Sequence, residues 1–133
     1  MRQTDSAFRA YYMLIRSLLA GALLLAASDL VAAADSVQLK VGVGEKMDAT
    51  LYKPAGAGPF PAVLILHTSG GLRPVDNAYA AKLADEGYVT LVPDFFSPYG
   101  LSQGNRQQTF TTHAKAIYAD FTAAIDALKK MRE

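Results

Sequence analysis

Two short stretches of this sequence have residue types and spacings that could do chemistry. "GLSQG", residues 100–104, fits the pattern G-x-S-x-G. In that pattern a sharp, strained turn between a strand and a helix lifts a serine hydroxyl out as a nucleophile, here Ser102. "HTSGG", residues 67–71, ends an apolar run with a histidine, two hydroxyl residues and paired glycines. A glycine-flanked turn at the end of a central strand can aim a backbone N–H at a bound carbonyl oxygen, and Gly70 and Gly71 allow close approach. The remaining titratable residues have ordinary readings. His113 lies on a helical segment, three positions beyond Phe110 and one before Ala114, and reads as solvated, and Asp94 follows Pro93 at a strand end, where aspartate forms turns. Asp85, Glu86, Asp120 and Asp126 read as exposed helix charges. No spacing of His, Asp and Glu suits a metal, and "GVG" at 42–44 lacks the third glycine of a dinucleotide fingerprint. Neither a metal nor a cofactor is expected.

The elements around these stretches decide between them. "SVQLKVGVG" (36–44) alternates as a half-buried strand, and "DATLYKP" (48–54) is a second strand, paired antiparallel through "GEKM". "AVLILH" (62–67) is apolar without alternation, as in strands buried on both faces of a parallel sheet. Asp76 is placed to cap a helix, "NAYAAKLADEG", with Ala80, Leu83 and Ala84 inward and Gly87 as its stop. "YVTLVP" (88–93) is a second buried strand, completing a βαβ crossover. Residues 94–108 read as a polar loop. Phe110, Ala114, Ile117, Phe121, Ala124 and Leu128 then mark an amphipathic helix over 109–130. The order β-β-β-α-β-α is an α/β protein opening with an antiparallel pair.

Ser102 has neither a strand directly before it nor a helix directly after it. It is carried as a nucleophile candidate that its context disfavours. His67, at a strand end, reads as a structural residue that orients the following loop.

The chain has 133 residues, no cysteine, 13 Lys+Arg and 12 Asp+Glu. One globular domain at most fits that length, and the balanced charge implies neither nucleic acid nor an acidic partner. The absence of cysteine excludes a disulfide or a thiol nucleophile within the chain. Arg2, Arg9 and Arg16 precede the apolar run "SLLAGALLLAA" (17–27), and "VAAAD" follows. That arrangement predicts a secretory signal cleaved between Ala34 and Asp35, whose apolar core is too short to span a bilayer. Translation from Met13 would give a more compact signal. Residues 35–133, with ten basic and ten acidic side chains, are then an exported domain with no membrane segment.

"PFPAVLILHTSGGL" and "AAKLADEGYVTLVPDFF" together resemble the dienelactone hydrolase family of α/β hydrolases, over roughly residues 48–132. The resemblance rests on Pro61, the strand ended by His67, the glycines after it, "LADEGY" and "VPDFF". It implies that the loop after this strand gives one backbone N–H to an oxyanion hole. The donor carried over is Ser69, with Thr68 beside it and His67, Gly70 and Gly71 supporting the loop. It also implies an amino-terminal portion of the fold, namely the hairpin, the βαβ crossover and the long helix, without the carboxyl-terminal strands. The family's order of Ser or Cys, then Asp, then His places all three triad members beyond Glu133. Two departures stand out. Thr68 occupies a place that is usually acidic in members with a cysteine nucleophile. "SPY" replaces an arginine that would hold a substrate carboxylate, so carboxylate-bearing dienelactones are disfavoured substrates.

The function expected is therefore a fragment of an exported enzyme that hydrolyses small esters or lactones through an acyl-enzyme, inactive as it stands. The alternative is a non-catalytic exported binding module. Its loops 67–74 and 94–106 would hold a ligand, with exposed aromatics from "DFFSPYG", and a dimer would cover the apolar edge of strand 62–67.

Overall fold

The structure is a computed structural model and describes residues 33–42 and 45–133. The expected signal and the alternative start at Met13 lie outside the described residues.

β1 (Ala33–Val41) and β2 (Glu45–Lys53) form an antiparallel hairpin, in register from Ala33 opposite Lys53 to Val41 opposite Glu45. Alternation sends Leu39, Val41, Met47, Ala49 and Leu51 into the core and leaves Gln38, Lys40, Lys46 and Asp48 exposed. The reversal lies earlier than "GEKM". Met47 is wholly buried, so it belongs to the inward face of a strand, and Gly42 at φ +49° provides the turn conformation. Ala33 and Ala34 of β1 precede the expected cleavage point.

β3 (Ala62–Leu64) runs parallel to β4 (Val89–Pro93), with Leu64 opposite Leu91, and β4 pairs antiparallel with β2. The sheet order is β1-β2-β4-β3. β4 is buried throughout because it has a neighbour on each side. β3 departs from the expectation of a strand buried on both faces. It is an edge strand with one neighbour, so Ala62, Val63, Leu64 and Ile65 are only half-buried.

Between them runs α1 (Pro74–Asp85). Pro74, with its preset φ, starts this helix earlier than expected, and Arg73 is the N-cap. Asp76 is therefore the third helical residue, and its carboxylate accepts the Arg73 N–H at 2.9 Å. At the other end Gly87, at φ +93°, donates to the Ala84 carbonyl and Tyr88 donates to that of Leu83, both at 3.0 Å. This is the Schellman geometry that a terminating glycine permits.

α2 (Ala114–Met131) is shorter than the expected 109–130 stripe at its start. Residues Arg106–Thr109 form a separate 3-10 turn, Phe110 is outside the helix and exposed, and His113 is the N-cap. The β-branched pair Thr111 and Thr112 favours that break. Ile117, Ala124 and Leu128 pack with Val89 and Leu91 on one face of the sheet. On the opposite face the Thr90 hydroxyl donates to the Ala80 carbonyl of α1 at 3.1 Å. The segment after β4 is not a plain polar loop. It contains a 3-10 turn at Ser97–Tyr99 and buries Phe95, Phe96 and Leu101.

Candidate active-site turn

Parallel pairing brings the ends of β3 and β4 together. Leu64 faces Leu91, so the residues three further on, His67 and Asp94, arrive side by side. The His67 Nε2 lies 3.3 Å from Asp94 Oδ1, off the hydrogen-bonding direction. His67 is buried, its ring stacked on Phe95 at 3.8 Å and set edge-on to Phe96 at 4.9 Å. The Nδ1 is 2.8 Å from the Thr68 carbonyl oxygen. A carbonyl only accepts, so the Nδ1–H is the donor and fixes the tautomer. Asp94 shapes the next turn. Its Oδ1 accepts the Phe96 N–H at 3.1 Å, and its carbonyl accepts the Ser97 N–H and hydroxyl.

The turn after His67 is closed by Thr68. Its carbonyl also accepts the Gly71 N–H at 3.0 Å, and its hydroxyl accepts the Gly70 N–H at 3.3 Å. Gly71 holds φ +87°, and a side chain there would meet the Phe96 ring at 3.7 Å. The Ser69 N–H, just before these bonded amides, has no acceptor among the described residues.

Ser69 lines a cavity of about 390 Å³. Leu66, Phe95, Ile117 and Phe121 form its apolar walls, while Phe110 and Tyr118 stand at its rim. Thr109 is also on the wall, and its buried hydroxyl has no partner among the described residues. The contributions of Thr109, Phe110 and the first turns of α2 were not foreseen. The signal for them was the start of the helical stripe, which the topology sets opposite the strand ends.

Ser102 is placed elsewhere. It is exposed between the two 3-10 turns, and both its N–H and its hydroxyl donate to Asn105 Oδ1, at 2.6 and 3.2 Å. It does not line the cavity, and no non-glycine residue among those described has a positive φ.

Three readings of individual residues are corrected. Asp120 is not an exposed helix charge but is buried on α2, where its carboxylate accepts the Tyr99 hydroxyl and its Oδ1 has no partner among the described residues. Burial, followed by that carboxylate, pushes the Tyr99 phenol well above its ordinary value. His113 is half-buried at the N-cap rather than solvated, its ring 4.7 Å from that of Tyr99. Phe95 and Phe96 are core residues packed on His67, so they offer no exposed aromatic surface.

Among solved structures, the chain is similar to the dienelactone hydrolase-like promiscuous phosphotriesterase P91 from metagenomic libraries. The TM-score is 0.63 at 22% identity, over 74% of this chain and 43% of that one. It is also similar to the dienelactone hydrolase of Anabaena variabilis, with a TM-score of 0.50 at 22% identity over 72% of this chain and 44% of that one. These likenesses establish part of an α/β-hydrolase fold. The hydrolase fragment YghX of Escherichia coli (strain K12) is 41% identical over 56 residues, which are 41% of this chain and 48% of that protein. The chain thus spans about half the length of the curated relative it matches. The family model described as the dienelactone hydrolase family matches residues 47–133, from within β2 through α2, and the chain belongs to that family.

Proposed function

We propose that this chain supplies the oxyanion side of an exported hydrolase that cleaves small esters or lactones through an acyl-enzyme. The observation that carries the reading is Ser69, which lines a cavity at the carboxyl end of a parallel strand and whose N–H has no acceptor among the described residues. Ligands of open α/β sheets bind at such strand ends, and a fixed backbone donor there stabilises the charge that develops on a carbonyl oxygen. Thr68 holds the turn through its carbonyl and hydroxyl, His67 anchors that carbonyl, and Gly70 and Gly71 keep the approach open. The reading does not assign the nucleophile to Ser102, whose hydroxyl donates to Asn105 and which lies away from the cavity. The match covers 43% of P91 and 44% of the Anabaena variabilis hydrolase, and the reading assigns the nucleophile, acid and base to the part of the fold it leaves uncovered.

The coding DNA past the Glu133 codon tests this. A frame that continues, or resumes after a frameshift, into an apolar strand and G-x-S-x-G or G-x-C-x-G supports the reading. A stop with no such elbow after it rejects the reading for this gene product. In the longer product, Ser69→Pro should lower kcat by about 10²–10³, the usual cost of one oxyanion donor.

Export is proposed from the Arg-rich start, the apolar run 17–27 and the "VAAAD" site. Sequencing the exported protein should give Asp35 as its first residue, and retention of residues 1–34 would reject cleavage. The half-buried edge of β3 also supports pairing with a second copy. Sedimentation should then show a dimer whose Ala62 and Leu64 amides, on the side of β3 away from β4, resist hydrogen exchange, and a monomer with rapid exchange there would reject it.

A further inference from the structure

The cavity beside Ser69 carries information about what it holds. Among the described residues no Lys, Arg, Asp or Glu lines it, and the one histidine there commits its Nδ1–H to the Thr68 carbonyl. The formal charge nearest that histidine is negative, because Asp94 Oδ1 lies 3.3 Å from His67 Nε2. An anionic group entering here would lose its water, gain no cation and face a carboxylate behind the ring. A carbonyl oxygen, in contrast, finds the Ser69 N–H without a competing acceptor. Apolar side chains continue from the walls to the surface, where Phe110 and Tyr118 remain 66% and 75% exposed at the rim. At roughly 30 Å³ for each water-sized atom, about 390 Å³ holds about a dozen non-hydrogen atoms.

We propose that this cavity takes the uncharged, apolar alkyl or aryl part of an ester or lactone, with the carbonyl oxygen on the Ser69 N–H and no carboxylate on the ligand. This deepens the hydrolase reading and rests on it for the choice of an ester over other neutral carbonyl compounds. Selectivity comes from the walls. Leu66, Phe95, Ile117 and Phe121 reward apolar surface removed from water, and the missing cation penalises any acid of the same shape.

A matched pair of probes tests the charge preference on the full chain: methyl 4-phenylbutyrate, which is neutral, and 4-phenylbutyrate, which has nearly the same size. Amide shifts in ¹H–¹⁵N spectra at pH 7 give both affinities and the site. The ester should bind at least tenfold more tightly than the acid and shift the Ser69 amide. Phe110→Arg, at an exposed rim position, should bring the acid to parity or better, and Tyr118→Arg is the second rim variant. Equal affinity for the two probes, ester shifts that leave Ser69 unmoved, or a preference unchanged by both rim variants would overturn the assignment. So would an absence of ester binding because a second copy or a following segment occupies the cavity. The two readings fail differently. A longer product that hydrolyses neutral and carboxylate-bearing esters equally well defeats this inference alone. Selective ester binding with no turnover in that product defeats the hydrolase reading and leaves the cavity preference standing.

Discussion

Tyr99→Phe removes a single oxygen atom and should be among the most costly conservative changes in the chain. Asp120 is 1% exposed, its Oδ1 has no partner, and the Tyr99 hydroxyl is the one donor its Oδ2 receives among the described residues. The phenylalanine keeps the ring packed near His113 but leaves a buried carboxylate without a hydrogen bond. A hydrogen bond to a charged group contributes about 1.5–3 kcal/mol, and an uncompensated buried charge costs more than a neutral group does. The expected loss at pH 7 is therefore about 3 kcal/mol, read as a lower urea midpoint with an unchanged slope. Asp120→Asn, whose carbonyl still accepts from Tyr99, should cost less. In Tyr99→Phe/Asp120→Asn the two losses should fall short of adding, because the buried charge is gone. The pH dependence has a definite sign. Tyr99 is raised above its unfolded value of 10.0, so its contribution is complete below pH 10 and is lost as pH rises beyond it. Tyr99→Phe should lack that portion of the alkaline decline. A Tyr99→Phe loss below about 0.5 kcal/mol, within the range of an ordinary surface change, would refute a dry and singly bonded Asp120.

Three further outcomes follow from the same geometry. Thr109→Val removes a buried hydroxyl that has no protein partner, so thermal unfolding of the free chain should be unchanged or shifted upward, and a marked fall would show that the hydroxyl is paired. Gly71→Ala should destabilise by about 1–2 kcal/mol, since φ +87° is unfavourable for any side chain although the space beside Phe96 is sufficient; a neutral result in urea would contradict the turn conformation. His67→Ala should cost about 3 kcal/mol, through loss of the stack on Phe95 and of the bond to the Thr68 carbonyl, and should speed hydrogen exchange at Gly70 and Gly71; unchanged exchange there would remove His67 from the support of the turn.

Much of the fold was legible from local patterns. Alternation located the hairpin, the unbroken run at 88–93 became the wholly buried β4, and Gly87 ended α1 for the reason its type suggests. What escaped depended on partners distant in sequence. The run at 62–67 reads as buried, yet its exposure is set by its place at the sheet edge, which composition does not encode. Phe95 and Phe96 follow a strand end and look like loop aromatics until His67 arrives beside them from β3. Asp120 was legible in principle. It lies three residues after Ile117 and four before Ala124, on the buried stripe, but its charge suggested the opposite face and only Tyr99 explains the burial. The turn at 67–71 was found from its residue types, whereas the cavity wall supplied by Thr109 and α2 required the tertiary structure.

The central proposal is that the turn at 67–71 is an oxyanion turn and that Ser102 is not a nucleophile. Treating the folded full chain with a fluorophosphonate ester and weighing it intact tests that claim most directly. The account predicts no gain in mass on treatment, as for Ser102→Ala treated in the same way. A stoichiometric adduct that disappears in Ser102→Ala would contradict it and place a working nucleophile on the "GLSQG" loop.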